Sequence, residues 1–359
     1  MTPTTPTVLE VKDLKVQFRI DTGRFFSHDY HTIKAVDGVS LTVRRGEILG
    51  IVGESGCGKS TLARAITGLV PAQSGEVCWL GENLIGLSQE AFRKKRRDIQ
   101  MIFQDPSGSL DPRMTVGEII AEPLRTFYPH MSELQVAERV RGMMQMVGLL
   151  PDQINRYPHE FSGGQCQRVG IARALVVNPK LVVCDEPVSA LDVSVQAQIV
   201  NLLKDLQKKL NLSLIFIAHD LSVVRHVSDR VMVMYLGRVM EVADRDQIYL
   251  NPRHPYTQAL IESVPIPDPV LERARARRLI QGDIPSPLHP PSGCVFRTRC
   301  PFAIDHCATA KPVLERTPEG SEVACIRYQE LGDLASAMAS EATVADNPSG
   351  DETDASSGQ

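Results

Sequence analysis

Gly53-Glu-Ser-Gly-Cys-Gly-Lys-Ser60 decides the fold class, because it stands between a short strand pattern at 47–52 and a helical pattern at 59–70. Its spacing, G-x-x-x-x-G-K-S, is that of a loop whose backbone N–H groups surround phosphate oxygens at the start of a helix. A glycine-rich turn without a ligand is the alternative, which the flanking strand and helix patterns disfavour. The predicted nucleotide-binding residues in this loop are Gly53, Glu54, Ser55, Gly56, Cys57, Gly58, Lys59, Ser60 and Thr61.

Outward from this loop, strand and helix patterns alternate from about residue 8 to residue 250. The runs 181–184 and 214–218 are continuously apolar, as expected of strands buried on both faces. Between them, apolar residues recur at helical spacing up to Leu210, and Asn211 is a suitable stop. We therefore predict an α/β fold with a largely parallel sheet.

Strand patterns are missing from about residue 105 to residue 165. Ser132 and Gln135 have the spacing of a capping box, and the apolar residues that follow extend a helix towards Gly148. The sequence predicts an inserted helical subdomain over about 105–165.

Size and composition limit the function classes. The 359 residues carry 43% hydrophobic and 23% charged residues, the balance of an ordinary globular protein. The net charge of -4 supplies no overall positive field, so nucleic acid is not an expected partner. No apolar run reaches the roughly 20 residues that span a bilayer, and the N-terminus lacks the pattern of a secretory signal, so we expect a cytoplasmic location.

A second motif is the apolar run that ends in Asp185 and Glu186. Asp185 would hold Mg²⁺ together with the Ser60 hydroxyl, while Glu186 would orient or deprotonate the attacking water. Lys59 would reach the β- and γ-phosphates. The alternative is a pair of surface carboxylates that caps the next helix, which the preceding buried strand disfavours.

Phe161-Ser-Gly-Gly-Gln165 resembles the signature of ATP-binding cassette (ABC) proteins, with Phe where Leu is usual. The resemblance covers about residues 8–250 and implies a P-loop ATP-binding cassette with a RecA-like core. It also implies that the signature binds the γ-phosphate of ATP held by a partner subunit. The signature residues so assigned are Ser162, Gly163, Gly164 and Gln165.

The same resemblance assigns four further residues. Gln104 would sense Mg²⁺ and the membrane partner, and Asp192 would act across the dimer. His219 would contact the γ-phosphate and hold Glu186 in place. Phe18 occupies the aromatic position expected to stack on adenine, although an isolated aromatic in a strand is more often part of a core.

The C-terminal part narrows the family. The stretches 251–260, 282–287 and 291–301 resemble the extension of oligopeptide and dipeptide importer ATPases, which nickel importers share. Peptide is the preferred cargo. The alternatives are nickel or another small solute, or a soluble ABC ATPase without a transport role.

The importer resemblance also implies the partners and the location of the chain. We expect a homologous second ATPase as dimer partner, two transmembrane permease subunits and an extracytoplasmic solute-binding protein. The chain would lie peripherally on the cytoplasmic face of the inner membrane.

Half of the eight cysteines, Cys294, Cys300, Cys307 and Cys325, fall within this extension. Four thiolates can hold a [4Fe–4S] cluster or Zn²⁺, and the absence of C-x₂-C pairs weakens the zinc interpretation. The subfamily resemblance favours the iron–sulfur cluster, and four merely reduced cysteines are the remaining alternative.

These patterns divide the chain into four parts. We predict a flexible N-terminus at 1–7, the cassette at 8–250, an irregular extension with the cysteines at 251–332, and a disordered acidic tail at 333–359.

Overall fold

A computed structural model describes residues 6–21, 30–264, 280 and 282–331. The predicted tail at 333–359 and residues 1–5 of the predicted flexible N-terminus lie outside these ranges. Pro6 and Thr7 differ from the prediction, because Thr7 begins the first strand and the Pro6 carbonyl accepts a hydrogen bond from Arg45 N at 2.9 Å. Among the described residues, no helix combines the length and the apolar character needed to cross a membrane.

The strands in the described ranges are β1 Thr7–Asp21, β2 Tyr30–Arg44, β3 Ile48–Val52, β4 Ser74–Trp79, β5 Glu82–Asn83, β6 Ile99–Ile102, β7 Leu181–Asp185, β8 Ser213–Ile217, β9 Arg230–Tyr235, β10 Arg238–Asp244, β11 Glu315–Arg316 and β12 Glu322–Val323. The helices are α1 Lys59–Ile66, α2 Gln89–Arg96, α3 Val116–Phe127, α4 Glu133–Met146, α5 Gly163–Leu175, α6 Val193–Leu210, α7 Leu221–Val227, α8 Arg245–Leu250, α9 Pro255–Glu262 and α10 His306–Thr309. Two 3₁₀ turns, Pro151–Asn155 and Pro158–Glu160, precede α5.

The large sheet has the order β11-β12-β10-β9-β3-β8-β7-β6. Its central strands β9, β3, β8, β7 and β6 are parallel, and every residue of β3, β7 and β8 is buried. Alternate residues serve two cores, since Leu49 and Ile51 face one side while Ile48 and Val52 face the other. The predicted α/β fold with a buried parallel sheet is confirmed.

An antiparallel sheet of order β2-β1-β4-β5 covers one of these cores. Leu14 and Trp79 from this sheet share the core with Leu62 and Ile66 of α1. The strand patterns of the sequence did not separate this second sheet from the parallel one. The pairing of β1 with β4 joins segments far apart in the chain, which local periodicity cannot reveal.

Helices occupy the stretch in which strand patterns are missing. Ser132 and Gln135 form the predicted capping box at the start of α4, and Gly148 follows its end with a φ of 75°. At the end of α6, Asn211 adopts a φ of 51°, the left-handed conformation that ends a helix. Both local predictions match the structure.

The C-terminal part is more regular than predicted. It contains α9, α10 and the β11–β12 hairpin, and β12 continues the large sheet because Val323 pairs with Glu241 of β10. The buried Glu241 carboxylate accepts hydrogen bonds from the backbone N–H groups of Arg253 at 2.8 Å and His254 at 3.0 Å. These bonds attach the start of α9 to the sheet. Two-residue strands carry no periodic pattern, so the sequence could not predict this hairpin.

His254 caps α9 from a fully buried position. Its Nδ1 accepts a hydrogen bond from Tyr256 N at 3.0 Å. Burial lowers the pKa of His254 to about 3. The imidazole is therefore neutral at neutral pH, while the same side chain in the unfolded chain titrates near pH 6.5.

We predict that the folded chain loses stability as the pH falls from about 6.5 towards 5, because the unfolded chain then binds a proton that folded His254 does not. The contribution is about 2 kcal/mol by pH 5. His254→Asn keeps a capping acceptor without a titrating group, so its Tm should fall less than that of the parent between pH 7 and pH 5. Equal falls in Tm would contradict this account.

Candidate functional site

The phosphate-binding loop lies between β3 and α1, and α1 begins directly after a turn at Gly58. Gly58 has a φ of 104°, and a Cβ at this position would lie 2.1 Å from the Ala35 carbonyl oxygen. Only glycine allows both this conformation and this approach. The loop is also bonded to the β9–β10 turn, because Gly237 N donates to Cys57 O at 2.8 Å.

Lys59, the first residue of α1, is buried. Its ammonium donates to Gly53 O at 2.7 Å and to Glu54 O at 3.1 Å. The same Nζ lies 3.9 Å from Glu186 Oε1. The Lys59 ammonium thus lies at the N-terminus of α1, and both the ammonium and the helix N-terminus favour a bound anion.

Ser60 and Asp185 meet beside this lysine. The Ser60 hydroxyl donates to Asp185 Oδ1 at 2.7 Å, although the two residues are 125 positions apart. Burial raises the pKa of Asp185, and the hydrogen bond from Ser60 acts in the opposite direction. Hydroxyl and carboxylate oxygens are ligands that Mg²⁺ prefers, so this pair fits the predicted metal site.

Three predicted residues surround the carboxylate of Glu186, which follows β7 with a φ of 44°. Gln104 Nε2 donates to Glu186 Oε2 at 3.1 Å, and His219 Nδ1 lies 3.6 Å from the same oxygen. Lys59 faces the other carboxylate oxygen. The structure therefore brings the three residues predicted to be catalytic, Gln104, Glu186 and His219, next to the predicted phosphate-binding Lys59.

A cavity of about 280 Å³ has none of these four residues in its wall, whereas a cavity of about 220 Å³ is lined by Lys59, Gln104 and Glu186. Its walls come from β2, the phosphate-binding loop, Gln104, Glu186, the β9–β10 turn and Pro287. Phe18 is 40% exposed and pairs with Ile33, a residue of the cavity wall, so both side chains share one face of the sheet. Phe18 itself is not a residue of the cavity wall, and its stacking on adenine stays a prediction.

The other loop residues differ in what their side chains contact. Ser55, Gly56 and Thr61 line the cavity. The Cys57 thiol is buried, which raises its pKa and keeps it protonated. The Glu54 carboxylate instead contacts Arg299, a partner that the sequence did not predict.

The signature residues occupy the exposed start of α5. Ser162 accepts a hydrogen bond from Gln165 N, and Gln165 Oε1 accepts one from Ser162 N at 2.9 Å. Gly164 packs closely on α6, because a Cβ there would lie 2.5 Å from Val195 Cγ1. Within the described chain, Ser162, Gly163, Gly164, Gln165 and Asp192 are not part of the cavity wall.

The four C-terminal cysteines border a single small cavity of about 20 Å³. Burial raises the pKa of Cys294, and it raises those of Cys300 and Cys325 to about 11 and about 12. Neighbouring thiols, Cys307 among them, add to these shifts. In the ranges that the structure covers, no group of three or more His, Cys, Asp or Glu could hold a metal ion. The thiols thus share a cavity without converging on one point.

Sequence reasoning missed the contacts between the C-terminal part and the phosphate-binding loop. Tyr256 and Arg299 bond to Glu54 of this loop, and Pro287 lines the cavity of about 220 Å³. All three lie in stretches that resemble the importer extension, but no local pattern indicates which distant residue each one contacts.

Two protein-family models match this chain. A family model described as "ABC transporter" matches residues 36–189, and one described as "Oligopeptide/dipeptide transporter, C-terminal region" matches residues 240–307. The solved ATP-binding cassette MJ0796, a dimer in a post-hydrolysis state bound to ADP and Pi, is 30% identical with a TM-score of 0.59. That match covers 66% of this chain and 98% of MJ0796. The predicted cassette fold is confirmed.

Two relatives match over nearly their full length. The chain is 62% identical over 325 residues to the oligopeptide transport ATP-binding protein OppF of Escherichia coli (strain K12). This match covers 90% of this chain and 97% of the relative. It is 60% identical over 322 residues to OppF of Haemophilus influenzae, with coverages of 89% and 97%. The chain therefore belongs to the ABC-transporter ATP-binding proteins of the oligopeptide/dipeptide transporter family.

Proposed function

We propose that this chain, an ABC-type ATPase, powers peptide uptake through separate permease subunits. The observation that carries the proposal is that Gln104, His219 and Lys59 surround the Glu186 carboxylate. The chain that holds this arrangement is 60% or more identical to oligopeptide transport ATP-binding proteins. The proposed cargo rests on what those relatives are named for. Nickel or another small solute is the competing cargo.

The residues divide the work of hydrolysis. Glu186 accepts a hydrogen bond from the attacking water and orients it, a role for which His219 and Gln104 fix the carboxylate. Lys59 and the backbone N–H groups of the loop bind the phosphates of ATP. Ser60 and Asp185, with Gln104 nearby, would hold Mg²⁺, which neutralises charge on the phosphate oxygens.

A second cassette completes the site. The Ser162 end of α5 is exposed, and a helix N-terminus of this kind favours an anion. Two cassettes packed head to tail would bring each signature to the other's phosphate-binding loop, with Asp192 at the contact. The proposed partner is a homologous second ATPase.

The permeases would dock at a cleft behind Gln104. A cavity of about 420 Å³ lies between β6 and α3, with Phe103 in its wall. Phe103 adjoins Gln104, whose amide contacts Glu186, so a helix bound in the cleft would act on the catalytic carboxylate through one residue. This location would place the chain peripherally on the cytoplasmic face of the membrane, with a solute-binding protein on the opposite side.

The proposed domain division follows these tasks. Residues 8–250 would form the cassette, with the helical subdomain at about 105–165, and residues 251–332 the importer-type extension. The hydrogen bonds of Glu241 to the start of α9 support a tight connection between the two parts.

We further propose that the four cysteines bind a [4Fe–4S] cluster. All four border one small cavity, and each thiolate of such a cluster binds a different iron, so the thiols need not converge on one point. Zinc needs four ligands around one ion, which the arrangement does not offer. Because the cavity holds about one water molecule, the cluster requires the side chains to rotate outward.

The proposed function predicts ATP-dependent peptide uptake by this chain reconstituted with its partner ATPase, permeases and binding protein. Glu186→Gln keeps the shape of the side chain and loses its charge, so hydrolysis at its site should fall by about 100-fold or more while ATP binding persists. Uptake of dipeptides, longer peptides and nickel would be compared. Nickel uptake without peptide uptake would reject the proposed cargo, and parental turnover at the variant site would reject the role of Glu186.

Two further variants separate the two halves of the proposed dimer site. Lys59→Ala should weaken binding of Mg·ATP to the isolated chain, because it removes the buried cation. Ser162→Arg should leave that binding unchanged and prevent dimer formation, since it blocks only the signature. Equilibrium binding and light scattering would measure the two effects, and equal loss of nucleotide binding in both variants would contradict the head-to-tail arrangement.

If the cluster is present, protein purified without oxygen should contain about four irons per chain and absorb broadly at about 400 nm. Cys→Ser changes at each of the four positions should lower the iron content. Cys78→Ser is the matched control, since Cys78 lies half-exposed on β4. Zinc in place of iron, or four freely alkylated thiols without metal, would reject the cluster.

A further inference from the structure

A partly buried ion pair joins the extension to the phosphate-binding loop. Arg299 and Glu54 are 245 positions apart, and the Arg299 side chain is only 7% exposed. Its Nη1 lies 2.6 Å from Glu54 Oε2, and its Nη2 lies 3.0 Å from Glu54 Oε1. Two parallel bonds of this kind fix the carboxylate in orientation as well as in position.

The backbone of Glu54 is held as well. Its N–H donates to the Tyr256 hydroxyl on α9 at 3.0 Å, and its carbonyl accepts from Lys59 Nζ at 3.1 Å. Tyr256 is fully buried against Tyr235 and Phe296, whose rings lie 4.8 Å and 5.2 Å from its own. The same carbonyl also accepts from Cys57 N at 3.2 Å. Every polar group of Glu54 therefore has a partner, and two of its four partner residues, Tyr256 and Arg299, come from the C-terminal extension.

The same guanidinium holds a second wall of the nucleotide cavity. Arg299 Nε donates to Gly282 O at 3.1 Å, at the start of the segment 282–289. Pro287 of this segment lines the cavity, and the His289 ring lies 5.8 Å from that of His31 on β2. One side chain thus bonds to both the loop that would bind phosphate and the segment that borders the cavity.

We propose that Arg299 is a positioning residue for nucleotide binding, acting through Glu54 and through the segment 282–289. The inference rests on the proposed role of residues 53–61 in phosphate binding. A carboxylate within a loop that receives a triphosphate opposes binding unless a cation neutralises it, and Arg299 supplies that cation. The paired fork also keeps the loop in one conformation before the nucleotide arrives, which lowers the entropic cost of binding.

The test is a titration of the purified full-length chain with the fluorescent analogue mant-ATP and Mg²⁺. Arg299→Ala should raise the dissociation constant by about tenfold, the effect of one unpaired charge near the phosphates. Arg299→Lys keeps the charge without the fork and should show a smaller loss. In the assembled transporter, KM for ATP should rise more than kcat falls. Arg297→Ala is the matched control, because Arg297 bonds to Ser292 within the extension.

A double variant distinguishes charge positioning from mere support. Adding Glu54→Gln to Arg299→Ala removes the unpaired carboxylate, so affinity should recover to within about threefold of the parent. If Arg299 only supported the fold, the second change would restore nothing. If Arg299→Ala folds poorly, the affinities of Arg299→Lys and of the double variant are compared with that of the parent instead. Neither of these two variants leaves the Glu54 carboxylate without a neighbouring cation.

The outcomes separate this inference from the proposal beneath it. Unchanged affinity in Arg299→Ala, or no recovery in the double variant, would overturn the role of Arg299 if Lys59→Ala still loses binding. Parental affinity in Lys59→Ala as well would overturn the nucleotide site itself. A loss in Arg297→Ala equal to that in Arg299→Ala would also reject the inference, because the effect would then belong to the extension as a whole.

Discussion

Strands β3, β8 and β7 run parallel and end at the same edge of the sheet, and the nucleotide site depends on this arrangement. Lys59 and Ser60 follow β3, Asp185 and Glu186 end β7 or follow it, and His219 follows β8. Because the residues after parallel strands lie side by side, groups more than a hundred positions apart come within hydrogen-bonding distance. The bond between Ser60 and Asp185, 125 positions apart, is an example, and the same arrangement of strands brings His219 to 3.6 Å from Glu186.

The rest of the molecule holds this edge in place. The two cores on either side of the sheet fix the strands, and α1 packs under the antiparallel sheet so that its N-terminus meets the loop. The extension adds further contacts to this loop, through Tyr256 and Arg299. Contacts that hold a loop in one conformation reduce the reorganisation of its N–H groups on binding, and such preorganisation favours electrostatic binding and catalysis.

One cassette nonetheless leaves part of the proposed machinery unused. The signature at the start of α5 forms a capping box, but its residues do not line the cavity of their own chain. In the proposed dimer, only a difference in affinity of ATP for the closed and open states could perform work on the permeases. A signature that contacts ATP only after closure would provide this difference.

The sequence by itself determined the features that depend on near neighbours. The phosphate-binding loop, the strand that ends in Asp185, the capping box of Ser132 and the helix stop at Asn211 could all be predicted, because each is a local pattern with a local physical cause. The approach of Gln104 and His219 to Glu186 could be inferred only through resemblance to a known family. The tertiary structure alone decided the antiparallel sheet, the β11–β12 hairpin, the shared cavity of the four cysteines and the pairing of Arg299 with Glu54. Each of these joins segments that are distant in the chain, and such pairs are selected by packing and burial, which no local periodicity records.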